Sequence, residues 1–328
     1  MKIFVSGATG FIGSRLALRL ANAGHEVHAL YRCEQKTAII QHPNIKLFKG
    51  DILYFDSLIK PVEGCSQIYH TAAFACVWNK YPSLIYRQNI EGTMNVVRAG
   101  IISGVEKIVC TSTAGVLGPS CSDEMVDENS PRPLKYFIDY ECSKMMMETI
   151  LKTILITGPE IVIVNPSRVY GPGILSESNG ITRIIQNYMH GKWRIIPGNG
   201  KSIGNYVYVE DVVTGHILAM EKGKSGERYV LGGTNMTFNE LFGVLAELTG
   251  KRYIMIHLPL PLMQLISVIM LLIARTSGRA PLIIPALVRK YNNNWNLSSA
   301  KAEKELDYRP VDFKTGAGIT INWLKNLN

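Results

Sequence analysis

Lys2-Ile3-Phe4-Val5-Ser6-Gly7-Ala8-Thr9-Gly10-Phe11-Ile12-Gly13 is the stretch that decides the fold. Its first five residues read as a short buried strand, and residues 14–21 continue with helical periodicity up to Ala23-Gly24. Glycines between a strand and a helix let the backbone turn tightly and approach a pyrophosphate. The anion then rests on the helix N-terminus, where unpaired N–H groups and the helix dipole favour negative charge. The spacing is Gly-x-x-Gly-x-x-Gly rather than the commoner Gly-x-Gly-x-x-Gly. Its position between a strand and a helix predicts a phosphate-binding turn.

Outward from this turn, strand and helix signals alternate. Residues 26–31, 45–48, 67–70, 107–110 and 161–164 read as further strands, with helices expected over 84–103 and 137–157. Strands separated by helices predict an α/β fold, a doubly wound parallel sheet covered on both faces. At 328 residues the chain suits one large α/β domain with a smaller appended region.

Composition excludes several classes. The six cysteines contain no Cys-x-x-Cys pair and the seven histidines show no ligand spacing, so neither disulfides nor a metal site is expected. The N-terminus runs straight into a core strand, which leaves no room for a signal peptide and leads to an expected cytoplasmic location. The net charge is +9, but Lys and Arg are scattered rather than gathered with aromatics, so nucleic acid is not an expected partner. An anionic cofactor, an anionic substrate or a membrane surface accounts for the charge more simply.

Two further features carry chemistry. Arg32, with Lys36 close behind, stands at the end of the second strand, where an acid would bind ribose hydroxyls and a cation suits a 2′-phosphate. NADP is therefore expected over NAD. Tyr140 and Lys144 stand four positions apart, on one face of a helix, with Cβ atoms roughly 5–6 Å apart. A free tyrosine has a pKa of about 10, and a fixed neighbouring cation favours its phenolate, as acid-base work requires.

With these residues in place, the chain resembles the extended short-chain dehydrogenase/reductase family, the NAD-dependent epimerase/dehydratase group, over nearly its whole length. Gly7, Thr9, Gly10, Phe11, Ile12 and Gly13 look like its cofactor turn, and Gly50-Asp51-Ile52 like its adenine-contacting strand end. Thr71-Ala72-Ala73 resembles the segment beside the cofactor, and Asn89-Ile90-Glu91-Gly92-Thr93 the helix that helps position the active site. Thr113, after the fifth strand, falls where the catalytic hydroxyl lies, with Ser112 as its rival and a further cofactor contact. Pro166 and Val169 belong to a segment similar to the one after the sixth strand, and residues 206–212 look like the later return strand.

The resemblance implies a Rossmann domain over residues 1–172 with a return segment at about 206–232, and a substrate-binding region from 173–205 and 233–328. It implies hydride transfer at a carbinol carbon or ketone. Tyr140 is the proton donor or acceptor, Thr113 holds the same oxygen, and Lys144 lowers the tyrosine pKa and holds the nicotinamide ribose. A homodimer is expected.

Nucleotide-sugar members carry an arginine before the return strand, where this chain reads Gly204-Asn205-Tyr206-Val207. Thr113 is followed by Ala114-Gly115 rather than the Asp-Glu of sugar dehydratases. The pattern is most similar to dihydroflavonol-reductase-like proteins and their hydroxysteroid-dehydrogenase relatives, with an epimerase as the alternative and a non-catalytic NADP sensor as a third class. A small-molecule substrate, apolar in character, is expected among residues 74–82, 118–137, 171–201 and 235–290, with Trp78, Tyr136, Phe137 and Tyr188 as candidate walls. The apolar residues 258–274, followed by Arg275, Arg279, Arg289 and Lys290, are expected either as a buried helix of this region or as a peripheral contact on the inner face of a membrane.

Overall fold

The structure, a computed structural model, describes the chain apart from residues 122–123, 134, 155–157, 176–178 and 328. Its strands are β1 (Lys2–Ser6), β2 (Glu26–Tyr31), β3 (Ile45–Lys49), β4 (Gln67–His70), β5 (Lys107–Thr111), β6 (Glu160–Pro166), β7 (Arg168–Tyr170), β8 (Ile195–Pro197), β9 (Ile203–Tyr208), β10 (Arg228–Leu231), β11 (Thr234–Thr237) and β12 (Ile256–Leu258). The helices of the first half are α1 (Phe11–Asn22), α2 (Asp56–Val62), α3 (Ser83–Tyr86), α4 (Gly92–Ile102) and α5 (Asp139–Ile154). Those of the second half are α6 (Gly180–Met189), α7 (Val209–Lys222), α8 (Phe238–Thr249), α9 (Leu260–Ser277), α10 (Pro285–Tyr291), α11 (Ala300–Leu306) and α12 (Phe313–Lys325).

A seven-stranded parallel sheet runs in the order β10-β6-β5-β4-β1-β2-β3. The order reverses direction at β1, so the crevice for a ligand lies at the ends of β1 and β4. Side chains alternate between the two faces, as the period of a strand requires. Ile3, Val5, Val27, Ala29, Val109 and Val162 pack with α1 and α7, whereas Phe4, Leu30, Ile68, Ile108 and Ile161 pack with α2, α4 and α5. This is the doubly wound Rossmann arrangement expected from the alternating signals. A smaller sheet, β11-β9-β7, and the β12-β8 pair lie beyond it.

Several boundaries differ from expectation for local reasons. The helix expected over 84–103 is interrupted by a π turn, Arg87–Glu91, which carries Asn89. The return strand ends at Tyr208, and residues 209–212 form the first turn of α7, where Glu210 and Asp211 favour a helix N-terminus. Glu210 also receives both Arg15 and Arg19 of α1, locking the two helices together. The expected helix over 137–157 begins at Asp139, and its last three residues lie outside those described.

A buried ionic cluster ties the tyrosine helix to the sheet. Glu148 on α5, fully buried, pairs with Arg132 and with Arg228 of β10 at 3.4 Å, and accepts a 2.7 Å hydrogen bond from Asn165 Nδ2 of β6. Removing one member of such a cluster leaves uncompensated buried charge. Glu148→Ala is therefore expected to lower stability in urea unfolding by about 3–5 kcal/mol. Glu91→Ala, which opens only the exposed Arg87–Glu91 pair, should change it by less than about 0.5 kcal/mol. Equal, small effects in both would remove the cluster from this role.

Candidate active site

The glycine turn is shaped by contacts that only glycine permits. Gly7 has φ +71°, and a Cβ there would lie 2.6 Å from the Ala72 nitrogen. A Cβ on Gly13 would lie 2.2 Å from the Gly7 carbonyl oxygen and 2.6 Å from Thr71 Oγ1. The turn, β4 and the start of α1 are thus pressed into one another. No side chain caps the N-terminus of α1 at Gly10, and its first turn holds no acid, so the anion-favouring end of the helix is open. Ile52 is buried against Gly92, and Asp51 lies 3.4 Å from Arg32, whose side chain is 65% exposed. Arg32 and Asp51, expected on separate strand ends, therefore meet at the same rim.

A chain of buried hydrogen bonds links this turn to the tyrosine helix. His70 Nδ1 lies 2.7 Å from Ser6 Oγ, and its Nε2 lies 2.9 Å from Thr93 Oγ1. The Thr93 hydroxyl donates to the Asn89 carbonyl at 2.7 Å, so His70 must donate from Nε2 and accept from Ser6. Burial, and secondarily the charge of Lys144, pushes the His70 pKa down to about 3 and keeps the ring neutral. Asn89 Nδ2 then donates to Ser143 Oγ at 2.9 Å, and Ser143 donates to the Tyr140 carbonyl at 2.7 Å. The Asn89 side-chain oxygen accepts from the Phe74 N–H at 2.7 Å. Asn89 is reached through the π turn, a local irregularity often found at functional sites.

Lys144 is 1% exposed, and its Nζ donates to the Thr111 carbonyl at 2.8 Å. Desolvation holds its pKa down at about 8. Burial, with the negative charge of Glu141 second, pushes the Tyr140 phenol above its ordinary value. The ammonium is directed at the end of β5.

Thr113 and Ser112 differ in situation. The Thr113 hydroxyl accepts from the Gly115 N–H at 3.1 Å and faces a cavity of about 70 Å³ shared with Ser167, Arg168, Asn205, Lys290 and Trp295. Ser112 is buried, and its hydroxyl has no hydrogen-bond partner. Its backbone N–H donates to Val164 at 2.8 Å, beside the strand that ends at Pro166. Val169 is buried in β7, paired in register with Val207.

The residues facing Thr113 were not individually assigned from sequence. Arg168 stacks on Tyr206, Phe238 and Tyr291, with centroid distances of 5.4, 5.9 and 5.9 Å, and donates to the Tyr206 hydroxyl at 3.2 Å. It has no acidic partner among the described residues. A Cβ built on Gly204 would lie 2.3 Å from Arg168 Nη1. The place of the missing arginine is thus filled by a guanidinium from the neighbouring strand β7. Lys290, read from sequence as a basic flank, instead pairs with the buried Glu141 and lies 4.5 Å from the Trp295 ring centroid. The Phe137 ring centroid stands 6.0 Å from that of Trp295. Tyr188 is no pocket wall: it is buried against Phe242 and Tyr253 and donates to the Lys251 carbonyl at 2.9 Å.

The open helix end, the glycine cradle and the unpartnered Ser112 hydroxyl fit a dinucleotide seated at the turn. Among the described residues no cluster of His, Cys, Asp or Glu could hold a metal.

The profile of the NAD dependent epimerase/dehydratase family matches residues 3–232. Over 98% of this chain and 94% of its own length, a Synechocystis protein named as a dihydroflavonol 4-reductase is 29% identical. Sterol demethylase protein B of Methylococcus capsulatus is 28% identical over 99% of the chain and 98% of its own length. A UDP-glucose 4-epimerase structure from Thermotoga maritima superposes with a TM-score of 0.83 over 100% of this chain and 99% of its own, at 24% identity, a likeness of fold.

The glycine contacts generate a direct expectation. Gly13→Ala forces Cβ onto the Gly7 carbonyl, so NADPH and NADH titrations followed by nicotinamide fluorescence should show at least about a tenfold loss of affinity, about 1.4 kcal/mol. Gly243→Ala, at a helix position with open space around it, serves as the control and should bind as the wild type does. Wild-type affinity in Gly13→Ala would exclude the turn as the cofactor's seat.

Proposed function

The chain belongs to the NAD dependent epimerase/dehydratase family, and from that membership we propose that it is an NADP-dependent oxidoreductase acting on a ketone or secondary alcohol of an apolar, steroid-, polyketide- or flavonoid-like molecule. The observation that carries this reading is the buried hydrogen-bond chain from Ser6 through His70, Thr93, Asn89 and Ser143 to the Tyr140 carbonyl, which ties the glycine turn to the helix bearing Tyr140 and Lys144. The similarity to proteins named as a dihydroflavonol 4-reductase and as sterol demethylase protein B supports the substrate class.

The cofactor supplies or accepts the hydride when bound. Gly7, Thr9, Gly10, Phe11, Ile12 and Gly13 would cradle its phosphates, and Thr71, Ala72 and Ala73 would run beside it. Arg32 would meet a 2′-phosphate, while Asp51 and Ile52 would flank the adenine end. In reduction Tyr140 donates its phenolic proton to the developing alkoxide. The Thr113 hydroxyl donates a hydrogen bond to the same oxygen, its lone pair still accepting from the Gly115 N–H. Lys144 opposes negative charge left on Tyr140, and Asn89 fixes the helix turn that carries it. In oxidation the same groups act in reverse.

Arg168 favours a second reading. A cation placed over Gly204 where nucleotide-sugar members carry an arginine would suit a diphosphate, and a solved UDP-glucose 4-epimerase shares the fold. An epimerase gives product with no net change in nicotinamide absorbance, whereas the oxidoreductase gives a stoichiometric change. Panels of ketones and of nucleotide sugars separate the two.

Under either reading Tyr140→Phe should lower kcat by about 10²- to 10⁴-fold while cofactor affinity stays near wild type. Normal turnover in that variant would exclude Tyr140 as the proton donor. Loss of the Arg32 charge in Arg32→Ser should weaken NADPH binding about tenfold and leave NADH binding unchanged. Equal NADPH affinity in the two proteins would remove Arg32 from the cofactor preference.

A further inference from the structure

The apolar stretch expected either as a buried helix or as a peripheral membrane contact is largely exposed. Of α9, Leu260–Ser277, only Met263, Ser267 and Ala274 are buried, a single stripe that turns inward. The opposite stripe, Leu262, Leu265, Ile266, Ile269, Leu272 and Ile273, faces solvent, and Leu265 and Ile273 are 58% and 59% exposed. Their spacing of three and four marks one continuous helix face. Ile254 and Ile256, just before α9, and Leu282, just after it, are exposed as well. A contiguous apolar surface of this kind marks a site of interaction with a membrane or a protein.

Charge chooses between these occupants. Residues 251–299 contain no Asp or Glu, yet they carry Lys251, Arg252, Arg275, Arg279, Arg289 and Lys290. Lys290 is committed to Glu141, while Arg252, Arg275, Arg279 and Arg289 are exposed. An apolar helix face flanked only by exposed cations complements an anionic lipid surface, with cations at the headgroups and aliphatic side chains among the acyl chains.

The fold also sets the orientation. Eighteen residues of helix measure about 27 Å, long enough by length and composition to approach a spanning segment. Both ends of α9, however, return to the same folded body. β12 pairs with β8 on one side, and α10 carries Lys290 back to Glu141 on the other. The inward stripe packs on that body as well. A helix held so can lie in the plane of a bilayer but cannot cross it.

We propose that α9 is an in-plane membrane-docking helix that seats the protein on anionic bilayers. The test is co-sedimentation of the full-length protein with vesicles of phosphatidylcholine alone and of phosphatidylcholine mixed with phosphatidylglycerol, at low and high salt. Wild type should partition at least about tenfold more strongly onto the anionic vesicles, with the preference shrinking as salt screens it. Combined Leu265→Glu, Ile269→Glu and Leu272→Glu, all at exposed positions, should abolish sedimentation while circular dichroism and cofactor binding stay unchanged. The pair Arg275→Gln and Arg279→Gln should remove most of the preference for anionic over neutral lipid. Wild type remaining in the supernatant with anionic vesicles at low salt would overturn the proposal, as would undiminished binding by the triple variant. A wild-type oligomer that the triple variant breaks apart, with neither protein binding vesicles, would assign the face to a second copy of the chain instead.

Discussion

Everything at the site hangs on a line of buried hydrogen bonds that begins at Ser6 and ends at the carbonyl of Tyr140. Each link has a defined direction, because the Thr93 hydroxyl is spent on the Asn89 carbonyl and His70 must therefore donate toward it. Every polar group along the line has a partner, which is the condition under which a buried polar network specifies one arrangement rather than several. The consequence is geometric. The turn that would carry the cofactor and the helix that carries the phenol cannot shift independently, and the π turn at Asn89 is the adjustment that lets the amide reach both Phe74 and Ser143.

Around that line the charges are few, buried and paired with care. Lys144 is desolvated and bound to a carbonyl, Glu141 is balanced by Lys290, and Glu148 by Arg132 and Arg228. Desolvation of this kind acts on both members of the pair that stand four residues apart on the helix. The low-dielectric surroundings that weaken the ammonium also penalise the phenolate, and Glu141 adds to the penalty. His216 repeats the pattern on the far side of Thr111. It is neutral, its pKa pushed down to about 4 by burial, and is held by the Val212 carbonyl and the Thr111 hydroxyl.

What was legible in the sequence was what is local. Gly7, Gly10 and Gly13 announce their turn because strand, turn and helix are contiguous, and the parallel sheet follows from alternating apolar runs. Tyr140 and Lys144 share a helix, so their common face follows from spacing. The cavity before Thr113 was not legible residue by residue, because Arg168, Asn205, Lys290 and Trp295 come from four separate segments whose meeting is a matter of tertiary packing. Lys290 looked like a surface cation because no local signal shows that α10 turns it onto Glu141. The apolar run of α9 left a buried helix and a membrane contact both open, since periodicity reports which residues share a face and not what that face meets.

The contrast between the glycine turn and Arg32 has an evolutionary meaning. At the turn an added methyl group collides with backbone atoms, so substitution there is closed to drift. Arg32 lies mostly in solvent, held by one long contact to Asp51, and its replacement disturbs no packing. A lineage built on this scaffold can therefore vary the charge at this rim position at almost no cost in foldedness, while the turn beneath it stays frozen.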